Sequence, residues 1–328
     1  MTLHPIATPE PIADIAATTA LIEMADQLGV AHFFEQPTPF TAADIASAAD
    51  IPNAAAVAYL AALSAAALVV ESGDSVCAAT DFAERRHVAG YLSWSLTANR
   101  PFIEHITDYL RDPVGARESF QRNGRAVAVT SRWIGEQAFY PVIIETILRR
   151  SPSRIVDLGA GTAGLLIQLL RHLPDSTAVA VDISQGACTA AREAAERAGL
   201  SDRLTVVHRS IQSLVDDPEP LEGADVIHAG FVLHDLMPEE EETLDALLSI
   251  CRKAISQDGV IAITDSVPYA DQERERRFSA LFTFTHELMG RQLLTEQQWL
   301  DKFVNAGFAA CTCVPHRFPG GRLFVAGA

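Results

Sequence analysis

Two kinds of hydrophobic pattern divide this chain near residue 150. Beyond that point, short apolar runs alternate with longer amphipathic stretches. Arg154 to Leu158, Val179-Ala180-Val181-Asp182, Leu204-Thr205-Val206-Val207, Asp225-Val226-Ile227-His228-Ala229 and Val260-Ile261-Ala262-Ile263-Thr264 each predict a buried strand. Leu165 to Leu170 predicts a helix after the first of them. Another helix is expected from near Pro238, a residue favoured in a first helical turn. There Leu244, Leu247, Leu248, Cys251 and Ile255 recur on one face, and Glu239 to Glu242 form a solvated acidic first turn. Ala309 to Val314 and Leu323 to Ala326, separated by Pro315, Pro319, Gly320 and Gly321, predict a closing hairpin. Strand and helix alternate as in an α/β fold with a Rossmann-like parallel sheet.

The first half reads differently. Residues 12 to 36 are mostly helical in pattern, with Ile15, Leu21, Ile22, Met24, Ala25 and Leu28 apolar and Gly29 ending the first part. A short helix follows over Phe40 to Ala46, with Thr41 as its cap. Ala54 to Val70 carries no charge, but it is short against the roughly 20 residues a membrane span needs. A buried helix is the better expectation. Leu68-Val69-Val70 and Val76-Cys77-Ala78 complete a helix, helix, helix, wing pattern. The expected organisation is a helical, winged-helix-like domain over 1–100, connecting helices over 101–150 that contribute to a substrate pocket, and the α/β domain over 151–328.

Charge narrows the function of the winged-helix pattern. No Lys or Arg occurs before Arg85, and the net charge is −17. A reader of nucleic acid needs cations to displace phosphate counterions, so no nucleic-acid partner is expected. The five cysteines, Cys77, Cys188, Cys251, Cys311 and Cys313, are scattered and fit neither a disulfide framework nor a zinc ribbon. Pro5, Glu10 and Pro11 stand where a secretory signal would need a basic and then an apolar region, so a cytoplasmic location and no membrane partner are expected.

The chemistry concentrates after the first strand of the α/β half. Gly159, Gly161 and Gly164 have the spacing of a nucleotide loop, where missing side chains let backbone amides approach a ligand. Asp182 ends the second strand where a ribose-binding carboxylate is expected. Asp157 stands just before the first glycine, and its charge suits a cationic ligand better than a diphosphate. S-adenosylmethionine, with a sulfonium and an ammonium, fits that demand. The segment resembles motif I of class I methyltransferases, which implies a Rossmann-like class I methyltransferase domain closed by the terminal hairpin. The N-terminal pattern resembles the dimerisation domain of small-molecule O- and C-methyltransferases, which implies a homodimer. After the third strand, where many members carry an acid near the adenine, this chain has Arg209-Ser210-Ile211, leaving Ser210 and Ile211 as the expected adenine contacts.

His234 and Asp235 follow the fourth strand, and C-terminal strand ends face the ligand crevice of such a sheet. A histidine there is suited to act as a general base. Phe278, Phe282 and His286 recur at i, i+4 spacing, as a row expected to face inward. His286 is then either a core histidine or a metal ligand. With His234 and Asp235 it has the composition of a two-histidine, one-carboxylate site. Arg122 is either a surface ion pair or a carboxylate clamp. Trp94, Phe282 and Met289 fit a substrate pocket or a packed core equally.

His234-Asp235 with Pro238, the run Phe282 to Gly290, and Leu294-Thr295 leading to Trp299 resemble the metal-dependent 2-keto acid C-methyltransferases of nonribosomal peptide biosynthesis; Ser93-Trp94 and Phe120-Gln121-Arg122 are similar as well. That resemblance implies a secondary-metabolism enzyme methylating the carbon beside a ketone through a metal-bound enolate. His234 and His286 would hold iron or zinc, Asp235 would be a third ligand, the partner of a bound water or the base, and Arg122 would hold the substrate. A metal-independent O-methyltransferase with His234 as base is the alternative. A non-catalytic regulator with a winged-helix reader is disfavoured by the missing cations.

Overall fold

A computed structural model describes residues 9–35, 38–268 and 272–327. It contains two compact units, Met1–Ala98 and Asn99–Ala328.

In the first unit, helix Pro9–Gln27 leads to a 3-10 turn, Ala31–Phe34, with the helical structure interrupted at Gly29 as its position in the sequence led one to expect. Helix Ala42–Ala49 starts in a capping box: Thr41 Oγ1 accepts from the Asp44 amide at 3.2 Å, and Asp44 Oδ2 accepts from the Thr41 amide at 2.7 Å. Helix Asn53–Ala65 precedes a wing made of antiparallel strands β1 (Val69–Ser72) and β2 (Ser75–Ala78). Phe34 stacks on Phe82 and meets Phe40 edge-on, and all three are buried. The alanine-rich helix corrects one expectation. It is not a buried helix: only Ala56 and Leu63 are buried, and Val57 is exposed. Lacking charge did not make it core, because alanine loses little by facing water.

The second unit is built on a seven-stranded sheet. Its strands are β3 (Arg154–Leu158), β4 (Thr177–Asp182), β5 (Leu204–His208), β6 (Ala224–Gly230), β7 (Ile255–Ser266), β8 (Ala310–Pro315) and β9 (Gly321–Gly327). The order is β5-β4-β3-β6-β7-β9-β8; the first five are parallel, and β9 and β8 form the antiparallel edge. The order reverses between β3 and β6, and a crevice opens at such a switch point outside the carboxyl ends of the strands. One sheet face buries Ile227, Ala229, Ile261, Ile263 and Phe324 against Leu244, Leu247, Leu248, Trp299 and Phe303 from helices Glu241–Ala254 and Glu296–Asn305. Lys302 ties these helices together, donating to Glu241 at 3.0 Å and Asp245 at 2.7 Å. Pro238 does not start the helix, which begins at Glu241; Pro238 follows a cis peptide in the connecting loop. The segment after the first unit folds as short helices within the second, including Pro113–Ser119, Gly124–Ala138 and Tyr140–Leu148.

Candidate active site

The glycine loop leaves β3 in a conformation that its residues require. Gly159 has φ +69°, and a Cβ there would lie 2.9 Å from Val232 Cγ2. Gly161 has φ +56° and open space where its side chain would be. Asp182 braces the loop: Oδ2 accepts from the Gly161 amide at 2.8 Å, while Oδ1 accepts from the Ser184 amide at 2.8 Å. The expected ribose acid thus sits against the loop and fixes its shape. Asp157 is buried, and its Oδ1 accepts from His228 Nδ1 at 2.7 Å. Ser210 and Ile211 each have a place in the local structure. Ser210 Oγ accepts from the Ser213 amide at 3.3 Å, and Ile211 is buried in the core.

Beyond β6, Phe231 adopts φ +54°, a left-handed conformation that costs a non-glycine residue about 1–3 kcal/mol and recurs at functional sites. The chain then enters the 3-10 turn Leu233–Leu236. Leu233 and Leu236 anchor the turn in the core and carry His234 inward, 1% exposed. His286 comes from helix Glu273–Leu288 and is 3% exposed. The row leading to it does not face inward throughout, as expected from its aromatic character. Phe278 is exposed, Phe282 is half-buried and stacked on His286 at 4.1 Å between centroids, and only His286 is buried.

The two imidazoles meet at Nε2, 3.1 Å apart. Their outer nitrogens fix the chemistry of that contact. His234 Nδ1 donates to Asp265 Oδ1 at 2.7 Å, and His286 Nδ1 donates to the Phe282 carbonyl at 2.6 Å. Each Nδ1 therefore carries the hydrogen, and each Nε2 presents a lone pair. Two lone pairs at 3.1 Å repel unless a proton or a cation lies between them. Burial works against a charge on His234, but the charge and hydrogen bond of Asp265, helped by Asp235, outweigh it and raise its pKa above the ordinary value. Burial, followed by the neighbouring His234, holds His286 well below it. One partner favours the proton and the other refuses it.

Asp235 completes a group of three. Ligand atoms of His234, Asp235 and His286 all lie within 4.8 Å of one another. Asp235 Oδ1 is 3.9 Å from His234 Nε2 and 3.7 Å from Arg291 Nε. Arg122 is half-buried with its guanidinium 6.0 Å from the Phe102 ring centroid. Burial lowers its pKa, opposed by the charge of nearby Asp235 and by Tyr109. Arg122 is therefore in the electrostatic neighbourhood of the dyad. Its segment is anchored by the Tyr109 hydroxyl, which donates to the Phe120 carbonyl. Met289 packs against the cluster of Phe102, Tyr109, Ala116 and Leu288. Trp94 belongs to the first unit, in the turn Trp94–Ala98.

Two buried residues were missed by sequence reasoning. Asp265 ends β7 and is 1% exposed, and its carboxylate orients His234. The signal was present: an apolar strand ending in an acid, as at Asp157 and Asp182. In the sequence, His228 is legible only as part of a strand.

Residues 156–261 match the protein family described as a methyltransferase domain. The chain is similar to a methyltransferase named ungE' from Aspergillus campestris, at 23% identity over 76% of this chain and 75% of that one. It is also similar to 3-hydroxy-5-methyl-1-naphthoate 3-O-methyltransferase of Streptomyces sahachiroi, at 26% identity over 53% of this chain and 48% of that one. Among solved structures, PigF with S-adenosylhomocysteine is similar at a TM-score of 0.57 and 19% identity, covering 98% of this chain and 100% of that one. The fold is that of the Rossmann-like class I methyltransferases. Among the described residues, no helix is long and apolar enough to cross a membrane.

Proposed function

We propose that this S-adenosylmethionine-dependent methyltransferase methylates a 2-keto acid at the carbon beside the ketone, with a metal cation held by His234 and His286. The observation that carries this reading is the pair of Nε2 atoms at 3.1 Å with both Nδ1 atoms already committed. His234 and His286 would hold such a cation through these two Nε2 lone pairs. Two imidazoles and an adjacent carboxylate suit iron or zinc. When bound, the cation supplies Lewis acidity that stabilises negative charge developing on the keto oxygen.

The chain's own residues do the rest. Arg122 clamps the substrate carboxylate, which its planar fork matches. Asp235 takes the proton from the carbon beside the ketone. That carbon forms the new bond to the methyl group, the S–CH3 bond breaks, and S-adenosylhomocysteine leaves. Asp157 and the loop around Gly159 and Gly161 hold the donor in line, with Asp182 bracing them. Asp265 and the Phe282 carbonyl keep both histidines aimed. Phe282 borders the substrate side chain. A homodimer formed through the uncharged face of helix Asn53–Ala65 belongs to this reading.

A second reading is favoured by the naphthoate O-methyltransferase relative and by the Asp265–His234 pair: O-methylation of a phenol with His234 as base. S-adenosylhomocysteine release with phenylpyruvate and 4-methyl-2-oxopentanoate, with and without a strong chelator, separates the two. The keto-acid reading expects turnover that chelator abolishes. Phenol turnover that ignores chelator overturns it.

A further inference from the structure

Asp157 and His228 form a buried couple outside the histidine dyad. They stand directly opposite each other on neighbouring parallel strands, β3 and β6, and each is 4% exposed. The His228 Nδ1 to Asp157 Oδ1 distance is 2.7 Å, so the carboxylate accepts and Nδ1 carries the hydrogen. Nε2 is then the acceptor, and the Thr264 hydroxyl on β7 faces it at 3.4 Å. Among the described residues, no other side-chain donor reaches Asp157. The sequence makes room for this ring. Gly230 lies two residues on, on the same face of β6, and a Cβ there would lie 3.1 Å from His228 Cε1. Such a polar row across three strands is costly unless each member is paired. An apolar residue at 228 would leave the Asp157 carboxylate buried and unpaired.

Asp157 also lies at the start of the glycine loop. Its charge acts on the Tyr140 hydroxyl, and that hydroxyl is 3.6 Å from where a Gly164 side chain would begin. One carboxylate oxygen is thus held from within the sheet, on the side where the loop begins. We propose that His228 is a positioning residue for the methyl donor: its Nδ1–H locks Asp157 so that Oδ2 accepts from the ammonium group of the donor's methionine tail. This deepens the S-adenosylmethionine-dependent reading and rests on it. His228 then sets how strongly the chain distinguishes donors with an amino group from those without.

The test is calorimetric binding of S-adenosylhomocysteine and of its deamino analogue to the full chain. Wild type is expected to prefer the amino form. In His228→Phe, affinity for S-adenosylhomocysteine is expected to fall about tenfold or more, the scale of one charge-assisted hydrogen bond, while the deamino analogue is little changed. His228→Asn keeps a donor near the Nδ1 position and is expected to restore the preference; His228→Gln, whose donor lies near Nε2, is not. The Asn and Gln pair decides the matter even if the Phe variant does not fold. Equal loss for both ligands, or a preference that survives in both Phe and Gln variants, overturns the assignment. Failure of wild type to bind S-adenosylhomocysteine overturns the donor reading, and this inference with it.

Discussion

Two regions at the carboxyl ends of the strands are built in opposite ways. At the glycine loop, the proposed donor end, the segment from Gly159 to Gly164 joins one strand to one helix, and Asp182 reaches it from the next strand. Backbone amides and positive φ angles shape it, and its hydrogen bonds run to nearby chain segments. At the histidine end, four residues from three elements converge: His234 and Asp235 from a turn after β6, Asp265 from the end of β7, and His286 from a helix beyond it. Side chains shape this end; His234, Asp265 and His286 are buried, and Asp235 is partly exposed. Damage at the donor end therefore spreads through local backbone. Damage at the histidine end isolates a single interaction.

The sharpest way to break this contrast is His286→Ala. Turnover is expected to fall about a thousandfold or more, the scale of several kcal/mol of charge stabilisation. Metal content measured by emission spectroscopy should vanish, while calorimetric binding of S-adenosylhomocysteine is retained. Loss of both together would mean that the ends are not separable.

Asp265→Asn is expected to act more gently. It removes the charge that orients His234 and should weaken metal affinity by about 10- to 100-fold, the usual cost of losing a partner of a metal-bound histidine. Metal titration at constant pH measures it. If turnover falls equally in the presence of chelator, the pair serves His234 as a base instead.

Gly159→Ala tests the donor end. A side chain at φ +69° and 2.9 Å from Val232 is expected to cost about 1–3 kcal/mol of stability and to weaken S-adenosylhomocysteine binding. Metal stoichiometry should be unchanged, which calorimetry and emission spectroscopy check together.

The smallest effect is expected at Glu275, which ties the helix carrying His286 to β9 through Arg322 at 3.1 Å. The hydrogen bond from Arg322 holds its carboxyl below the usual glutamate value, against the effect of burial. Its contribution is fully present above the unfolded value, near about 4.3, and is lost as pH falls through the lower folded value. Glu275→Gln should therefore lower stability by about 1 kcal/mol at neutral pH. The difference from wild type should shrink in strongly acidic solution, as thermal melts across that range would show.

The same contrast explains what could be read without coordinates. Gly159, Gly161 and Asp182 were legible as a loop and its brace because their work depends on backbone conformation and short spacing, which a string of letters preserves. The strands of the sheet were legible because parallel strands buried on both faces read as continuous apolar runs. His234 and His286 could be nominated, but their meeting across 52 positions is a property of packing, with no local signature. Asp265 had its signal, an acid at a strand end, yet nothing in the letters said which way its carboxylate turned. Helix Asn53–Ala65 misled because alanine is equally at ease inside and outside, so an uncharged stretch does not announce its burial.

The aim of His286 depends on the Phe282 carbonyl, a main-chain atom that every amino acid supplies. The aim of His234 depends on the Asp265 side chain, which exists only because one codon specifies it. The aim of the two histidines therefore differs in its tolerance of substitution. Substitutions at position 282 leave the carbonyl where it is, whereas almost any change at position 265 releases His234. Lineages descended from such a chain should accordingly diversify their chemistry through the end of β7, with the helix handing down its histidine unaltered.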